Sequence, residues 1–200
     1  MRKLILATVL ACAGLATHAQ SSADYPSRPI KFILISAAGS GGDTLARLLA
    51  DKMGPLLKTS FVVENRPGGG GSIAVDATAK SPPDGYTITL GGATTHVLLP
   101  ASNPKLPYDP VKSFEPLGIV GRTGLALLAN PQVPVKNLKE LVAYVKARDK
   151  EPPAYGSFGA GTTSHFVGEA FLAAAGIRMV HVPYKGSSPA MTDLIGGQIP

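Results

Sequence analysis

The sequence has one cysteine, no tryptophan and no long uninterrupted apolar run. Cys12 lies inside the apolar stretch from Leu4 to Ala16, so the rest of the chain has no partner for a disulfide. That stretch is too short to span a hydrocarbon layer of about 30 Å as a permanent helix. Charge, glycine or proline interrupts every later apolar segment, and stable membrane insertion is therefore not expected.

The first residues have the pattern of a secretory signal instead. Met1-Arg2-Lys3 precedes the apolar stretch, and Thr17-His18-Ala19 offers a cleavage site before polar residues. We predict that residues 1–19 form a signal peptide and that the mature protein is exported. Lipidation at Cys12 is the less favoured alternative, because Leu10 stands where small residues are usual.

Charge of either sign is modest. The chain has 19 Lys and Arg against 13 Asp and Glu, and loss of Arg2 and Lys3 would leave 17 against 13, a net charge of +4. The cations are scattered and form no run of the kind that binds nucleic acid, so no nucleic-acid partner is expected. A mild positive charge suits an anionic small molecule and is equally consistent with ordinary solubility.

Short β-branched runs alternate along the chain with segments whose apolar residues recur at helical spacing. The predicted strands cover 30–35, 60–63, 86–90, 117–120, 125–129, 154–157 and 179–182. The predicted helices cover 45–53, 73–80, a segment opened by Asn137, 165–175, and a last one to Ile195 with Ser188 as cap, whereas 91–116 is expected to be irregular. This alternation predicts an α/β fold with parallel sheets, with 20–120 in one lobe and 121–200 in a second.

Two glycine loops precede predicted helices in the two halves of the chain, at 39–42 and 159–164. A helix N-terminus carries about half a positive charge and free N–H groups, which bind anions without a cationic side chain. Ligands of parallel sheets bind beyond the carboxyl ends of the strands. Either loop alone is an ordinary connection, but two of them in an exported chain favour an anion-binding site.

A dinucleotide-binding enzyme is the strongest rival interpretation. Gly39 and Gly41 follow a strand, and Glu64 ends the next strand at a suitable distance. The third glycine of that pattern is missing, since Thr44 stands there, and soluble nicotinamide cofactors are scarce outside the cytoplasm. No cofactor is therefore expected.

Other catalytic patterns are incomplete. A hydrolase nucleophile at Ser157 would need a glycine where Tyr155 stands. The histidines at 96, 165 and 181 lack companions at metal-ligand spacing, so neither a metal nor an enzymatic activity is expected. Asp43 is predicted to cap its helix, and Asp193 either has a packing role or contacts a ligand or ordered water.

Several motifs in order resemble one known family, the extracytoplasmic solute receptors of tripartite tricarboxylate transporters, often called Bug receptors. The similarity runs from Tyr25 to the end of the chain. Its densest segments are Val63-Glu64-Asn65-Arg66-Pro67-Gly68, Pro83-Asp84-Gly85-Tyr86-Thr87, Tyr108-Asp109-Pro110, Tyr155-Gly156-Ser157, Val182-Pro183-Tyr184-Lys185-Gly186-Ser187, Thr192-Asp193-Leu194 and Gly196-Gly197-Gln198.

The resemblance implies a periplasmic-binding-protein-like fold of two Rossmann-like lobes that close by a hinge on a small organic carboxylate in the cleft between them. Backbone amides, hydroxyls and ordered water would hold the ligand. The implied ligand-binding residues are Ser36, Ala38, Gly39 and Ser40 in the first loop, Gly159, Thr162, Thr163 and Ser164 in the second, and Thr94, Thr95 and Asp193 beside the same cleft. Implied partners are membrane permease subunits in a periplasmic transport role, and presentation of the ligand to a periplasmic sensor remains an alternative.

The chain departs from the family pattern in two places and in length. It has Ile35-Ser36 where the family commonly has Pro-Phe or Pro-Tyr, and Gly39-Ser40 where the family has two glycines. We expect a larger cleft or a changed selectivity from the lost aromatic wall. Family members are considerably longer than a chain ending at Ile199-Pro200, so we expect a C-terminal truncation that leaves the first lobe without its return segment and the second lobe incomplete.

Overall fold

The computed structural model describes residues 25–200, so the predicted signal peptide and Cys12 lie outside the described residues. The strands are β1 Ile30–Leu34, β2 Phe61–Asn65, β3 Thr87–Thr89, β4 Ala154–Ser157 and β5 Val180–Pro183. The α-helices are α1 Gly41–Leu57, α2 Ser72–Ala79, α3 Leu99–Ser102, α4 Leu138–Lys146, α5 Thr163–Ala175 and α6 Ser187–Ile195. Strands alternate with helices, as the sequence predicts.

The first sheet is parallel, with the strand order β2-β1-β3. Strand β1 is central because four of its five residues are apolar and buried, with Lys31 as the exposed exception. Phe32 lies opposite Val63 on one side and Ile88 on the other. Helix α1 covers this core through Ala46, which is fully buried against the sheet.

The second sheet is smaller and also parallel, with β4 paired to β5. Val145 on α4 and Leu172 on α5 form a buried cluster with Ile177. The predicted start of α4 is confirmed, since the Asn137 side chain accepts a hydrogen bond from the Glu140 N–H at 3.0 Å. The Glu140 carboxylate in turn accepts from the Lys136 N–H at 2.7 Å and from Asn137 Nδ2 at 2.8 Å. Together these bonds satisfy donors that a helix start otherwise leaves free.

The strands predicted at 117–120 and 125–129 are wrong, because the structure has neither. An extended segment becomes a strand only when a neighbour takes up its N–H and C=O groups, and nothing within 25–200 pairs with this segment. Leu117 and Ile119 are consequently more than four-fifths exposed. The boundary between lobes placed near Gly121 stays a prediction.

The structure also differs from the prediction at other element boundaries, of which three are informative. Helix α1 continues past Gly54-Pro55 to Leu57 and ends at Lys58 in the left-handed region (φ 53°), because a proline in the last turn removes only one hydrogen bond. The segment predicted as irregular contains a π-helical turn at Thr94–Leu98 followed by α3. Helix α6 starts at Ser187, with Gly186 rather than Ser188 as its N-cap.

Within residues 25–200, none of the helices combines the length and apolar character needed to cross a bilayer.

Candidate functional site

Three helices begin where the loops that follow the strands of the two sheets contact each other. Helix α1 follows β1, α5 follows β4 and α6 follows β5, in each case through a loop that contains glycine. Each start directs N–H groups and the positive end of the helix dipole toward the loop before it. The junction of the two sheets is therefore rich in hydrogen-bond donors.

The first loop contains four of the predicted site residues, Ser36, Ala38, Gly39 and Ser40. The Ser36 hydroxyl is buried, has no hydrogen-bond partner within the described part of the chain, and lies near Gly42 in the first turn of α1. Gly39 has a positive φ of 76°, and Ser40 is buried as the N-cap of α1. The Ser40 side chain makes no bond to its own helix, so its oxygen is available to other donors.

Asp43 holds the first loop in this shape. Its carboxylate, 3 % exposed, accepts hydrogen bonds from the Gly39 N–H at 2.9 Å, from Asn65 Nδ2 at 2.9 Å and from Arg47 Nε at 3.0 and 3.1 Å. The Arg47 bond, more than any other contact, lowers the pKa of Asp43 to about 2. The prediction that Asp43 caps its helix is wrong, because Ser40 is the N-cap and Asp43 lies in the first turn. From there its carboxylate reaches back to the N–H of the residue before the N-cap.

The second loop contains Gly159 and the predicted hydroxyl residues. Thr162 Oγ1 donates to the Gly159 carbonyl at 2.6 Å and lies 2.9 Å from Ser164 Oγ, which accepts from the Phe158 N–H. Gly159 has a φ of 137°, and a Cβ there would lie 3.1 Å from the Tyr184 carbonyl oxygen. The Thr162 and Ser164 hydroxyls therefore bond to other atoms of the loop and fix its conformation.

Thr163 connects the second loop to the π-helical turn that follows β3. Its N–H donates to Thr94 Oγ1 at 3.0 Å, and the two hydroxyl oxygens are 2.7 Å apart. Thr95, in contrast, is fully buried, and its hydroxyl lies 2.8 Å from His96 Nδ1 and also pairs with Gly92. Thr94 therefore faces the junction, and Thr95 lies behind it.

A third loop, 184–186, contacts the first one, and the sequence reasoning did not select it as part of the site. The Ala37 N–H donates to the Lys185 carbonyl at 2.9 Å, the Gly41 N–H lies 3.4 Å from Ser187 Oγ, and the Ser188 N–H lies 3.4 Å from Ser40 Oγ. A Cβ on Gly186 would lie 2.5 Å from Ser40 Oγ, so only glycine permits this approach. The sequence could have indicated this loop, because Gly186 lies between a strand and a helix as the glycines of the first two loops do.

Asp193 supports this third loop from α6. It accepts a hydrogen bond from the Tyr184 hydroxyl at 2.8 Å, and burial followed by this contact raises the pKa of Tyr184. The structure thus gives Asp193 a packing partner, and its predicted contact to ligand or water stays a prediction.

Two other concave regions lie apart from these loops. An apolar cavity of about 160 Å³ in the second half of the chain is lined by aliphatic and aromatic side chains, among them Leu127, Leu141, Phe171 and Ile199. An open depression borders Lys58 at the far end of α1, about 25 Å from the start of a 17-residue helix. The donor-rich junction has better chemistry for an anion than the apolar cavity does. Within 25–200 no three His, Cys, Asp or Glu side chains cluster to hold a metal ion.

Residues 45–200 match a family model described as the tripartite tricarboxylate transporter family receptor. Among curated proteins, BugT of Bordetella pertussis is 38 % identical over 197 residues, which cover 98 % of this chain and 60 % of BugT. A UPF0065 protein of Bordetella bronchiseptica is 37 % identical over 199 residues, which cover 100 % of this chain and 58 % of that protein. The chain thus spans about three fifths of the length of these relatives.

Solved structures agree with the sequence matches. The periplasmic binding protein BugD superposes with a TM-score of 0.77 at 37 % identity, over 88 % of this chain and 58 % of BugD. A Rhodopseudomonas palustris protein in complex with adipate gives 0.81 at 32 %, over 88 % and 58 % of the two chains. MatC from the same organism, with bound malate, gives 0.75 at 31 %, over 88 % and 59 %. The predicted periplasmic-binding-protein-like α/β fold is confirmed, and the matched family is one of receptors rather than enzymes.

Proposed function

The chain belongs to the tripartite tricarboxylate transporter receptor family, and we propose that it captures a small organic carboxylate at the junction of its two sheets for delivery to a membrane transporter. The observation that carries this proposal is the convergence of N–H and hydroxyl donors from both halves of the chain. Thr94 meets Thr163 there, and Ala37 meets Lys185, at 2.7–3.0 Å.

The contacts across the junction show how an anion would be held. Gly41 N–H and Ser188 N–H now point at hydroxyl oxygens 3.4 Å away, which is long for a hydrogen bond. A carboxylate oxygen is a stronger acceptor than a hydroxyl, because charge-assisted bonds are shorter and about twice as strong. An anion that entered between the loops would exchange these weak contacts for strong ones.

The hydrogen bonds across the junction also support a closing motion of the two halves about a hinge. In the present arrangement the two halves are joined by hydrogen bonds between loops, and these bonds break when the halves separate. A ligand favours the closed state only through contacts that the open state lacks. A carboxylate bound by the first loop on one side and by Thr163 or Ser188 on the other meets this requirement.

A comparison of two glycine variants tests the site. Gly39→Leu places a side chain beside Ser188 in the first loop, whereas Gly176→Leu places it beyond the C-terminus of α5, where nothing lies within 4 Å of the added Cβ. Both glycines have positive φ, 76° and 60°, so the backbone strain is matched. We expect Gly39→Leu to weaken carboxylate binding at least about tenfold and Gly176→Leu to leave it within about twofold.

The ligand panel for this test should contain adipate and malate, which occupy two of the structural neighbours, together with mono- and tricarboxylates. Binding to the folded chain raises the midpoint of thermal unfolding by mass action, and calorimetry then gives the affinity. Equal affinities in the two glycine variants would place the ligand elsewhere. An absence of binding across the whole panel would contradict the proposed function.

Export and partner binding belong to the same proposal. We expect cleavage after Ala19, which mass spectrometry of the protein from the periplasmic fraction would detect. We also expect the ligand-bound chain to bind the membrane permease subunits more tightly than the ligand-free chain. Equal affinity of the ligand-bound and the ligand-free chain for the permease subunits would contradict a role of hinge closure in docking.

A further inference from the structure

Three rings stack beneath the second loop. The ring of His181 on β5 lies between Tyr155 on β4 and His165 on α5. The centroids of the two histidine rings are 4.1 Å apart with an interplanar angle of 15°, and those of Tyr155 and His181 are 5.0 Å apart at 27°. This stack joins both strands of the second sheet to the helix that follows the loop.

One nitrogen of His165 is tied to the loop backbone. The Gly161 N–H donates to His165 Nδ1 at 3.2 Å. A ring nitrogen that accepts a hydrogen bond carries no proton, so this contact requires the neutral ring with its hydrogen on Nε2. That nitrogen lies 3.9 Å from Glu169 Oε1, on the side of the ring away from Gly161.

His181 is tied to the same loop through Ser157. The Ser157 hydroxyl, 0 % exposed, accepts from the Gly159 N–H at 3.2 Å and lies 2.6 Å from His181 Nε2. Since its oxygen already accepts one hydrogen bond, its own hydrogen is free to be donated to an unprotonated Nε2. Burial, and then the neighbouring His165, lower the pKa of His181, which agrees with a neutral ring.

We propose that His165 and His181 are positioning residues that hold the Gly159 and Gly161 amides in place while both rings are neutral, and that protonation of the stack releases the second loop. A proton on His165 Nδ1 would turn an acceptor into a donor directed at the Gly161 N–H. Two protonated rings at 4.1 Å would also repel each other. This inference concerns an anion-binding loop and so rests on the proposed function, but the contacts on which it depends lie within the chain.

The other titratable groups against the stack do not offset this effect. Glu169 on α5 favours a proton on the rings, but it lies on the Nε2 side of His165 and accepts the Tyr155 hydroxyl at 2.5 Å. Burial, followed by that hydrogen bond, raises the pKa of Tyr155, so the phenol stays neutral beside His181. Neither group provides a new acceptor for a proton on His165 Nδ1.

The test is a pH titration by nuclear magnetic resonance without ligand. The signals of the histidine rings and of the Gly159 and Gly161 amides are followed from about pH 8 to about pH 5, the range in which imidazole takes up a proton. We expect each amide signal to move with the ring that holds it, Gly161 with His165 and Gly159 with His181 through Ser157. Because the two rings repel each other when both are protonated, their midpoints should differ. The Gly176 amide, at the far end of α5, is the internal control and should not follow them. Glycine amides that stay fixed while the rings titrate would overturn the proposal.

Two variants separate positioning from simple packing. His165→Asn keeps an acceptor beside Gly161 but does not titrate, so the Gly161 signal should keep its neutral-pH position across the titration. His165→Phe keeps a stacked ring without an acceptor, and the Gly161 signal should be displaced at every pH. A wild-type pH response in both variants would contradict the inference, and this outcome is independent of whether any carboxylate binds.

Discussion

The two sheets use the same strand, loop and helix arrangement but are stabilised by different interactions. In the first sheet β1 is paired on both sides, and Phe32 is only 3 % exposed. In the second sheet each strand has one neighbour, and Val180 is 52 % exposed. A central strand covered on both faces gains more from apolar burial than a strand of a two-stranded pair does.

The first and second loops also differ in the interactions that hold them in place. The first loop lies over this apolar core and is fixed by one buried carboxylate, Asp43. The second loop rests on a polar stack in which Ser157 and His165 accept backbone N–H groups, and His181 pairs with the Ser157 hydroxyl. Imidazole takes up a proton between about pH 8 and 5, whereas Asp43, with a pKa of about 2, stays ionised over that range. Mild acid should therefore affect the second loop and leave the first unchanged.

The largest expected effect tests the difference in burial. Phe32→Ala should destabilise the chain by about 3–5 kcal/mol, because it removes a buried aromatic side chain from the central strand and leaves a cavity. The smaller truncation Val180→Ala, on the half-exposed edge of the second sheet, should cost less than about 1 kcal/mol. Chemical denaturation followed by circular dichroism measures both. Equal losses in the free energy of unfolding would contradict the difference in burial between the two strands.

A smaller effect tests the charge that fixes the first loop. Asp43→Asn should lower the free energy of unfolding at neutral pH by about 1–2 kcal/mol, a value reduced from the full pKa shift because Arg47 is half exposed. The pKa of Asp43 is about 2 in the folded chain against an ordinary 3.8. Its contribution is therefore complete above the ordinary pKa and is lost as the pH falls toward about 2.

The measurement for Asp43 is unfolding by denaturant at neutral and at acid pH. The original chain should lose this contribution on acidification, and the variant should lack it at both values. Asp51→Asn is the control, since that side chain lies on the same helix and is mostly exposed. An equal pH response in the Asp43 and Asp51 variants would contradict the role of the loop carboxylate.

The sequence predicted the features that depend on local pattern. The apolar run of β1 and the cap at Asn137 formed as expected, because strand burial and helix capping are encoded within a few residues. The parallel α/β order followed from the alternation of such segments. The glycine loops before α1 and α5 were found by the same reasoning.

The features that depend on distant partners were not predicted. The apolar residues around Leu117 and Leu127 resemble strands, but a strand also needs a neighbour. The contacts of Ser188 with Ser40 and of His165 with Gly161 depend on how elements meet in space, which periodicity does not report. Pairing of the first loop with the start of α6 is therefore a result of the structure.

The smallest expected effect lies at the link between the halves. Thr94→Val keeps the shape of the side chain but removes the acceptor for the Thr163 N–H and the contact between the two hydroxyls. We expect a loss of about 0.5–1.5 kcal/mol and faster hydrogen exchange at the Thr163 amide, since that donor loses its protein partner. Thr192→Val is the control, because its hydroxyl bonds within α6 to the Ser188 carbonyl. If Thr163 exchange rises equally in both variants, the Thr94 contact does not join the two halves, and closure must rely on the bond between Ala37 and Lys185.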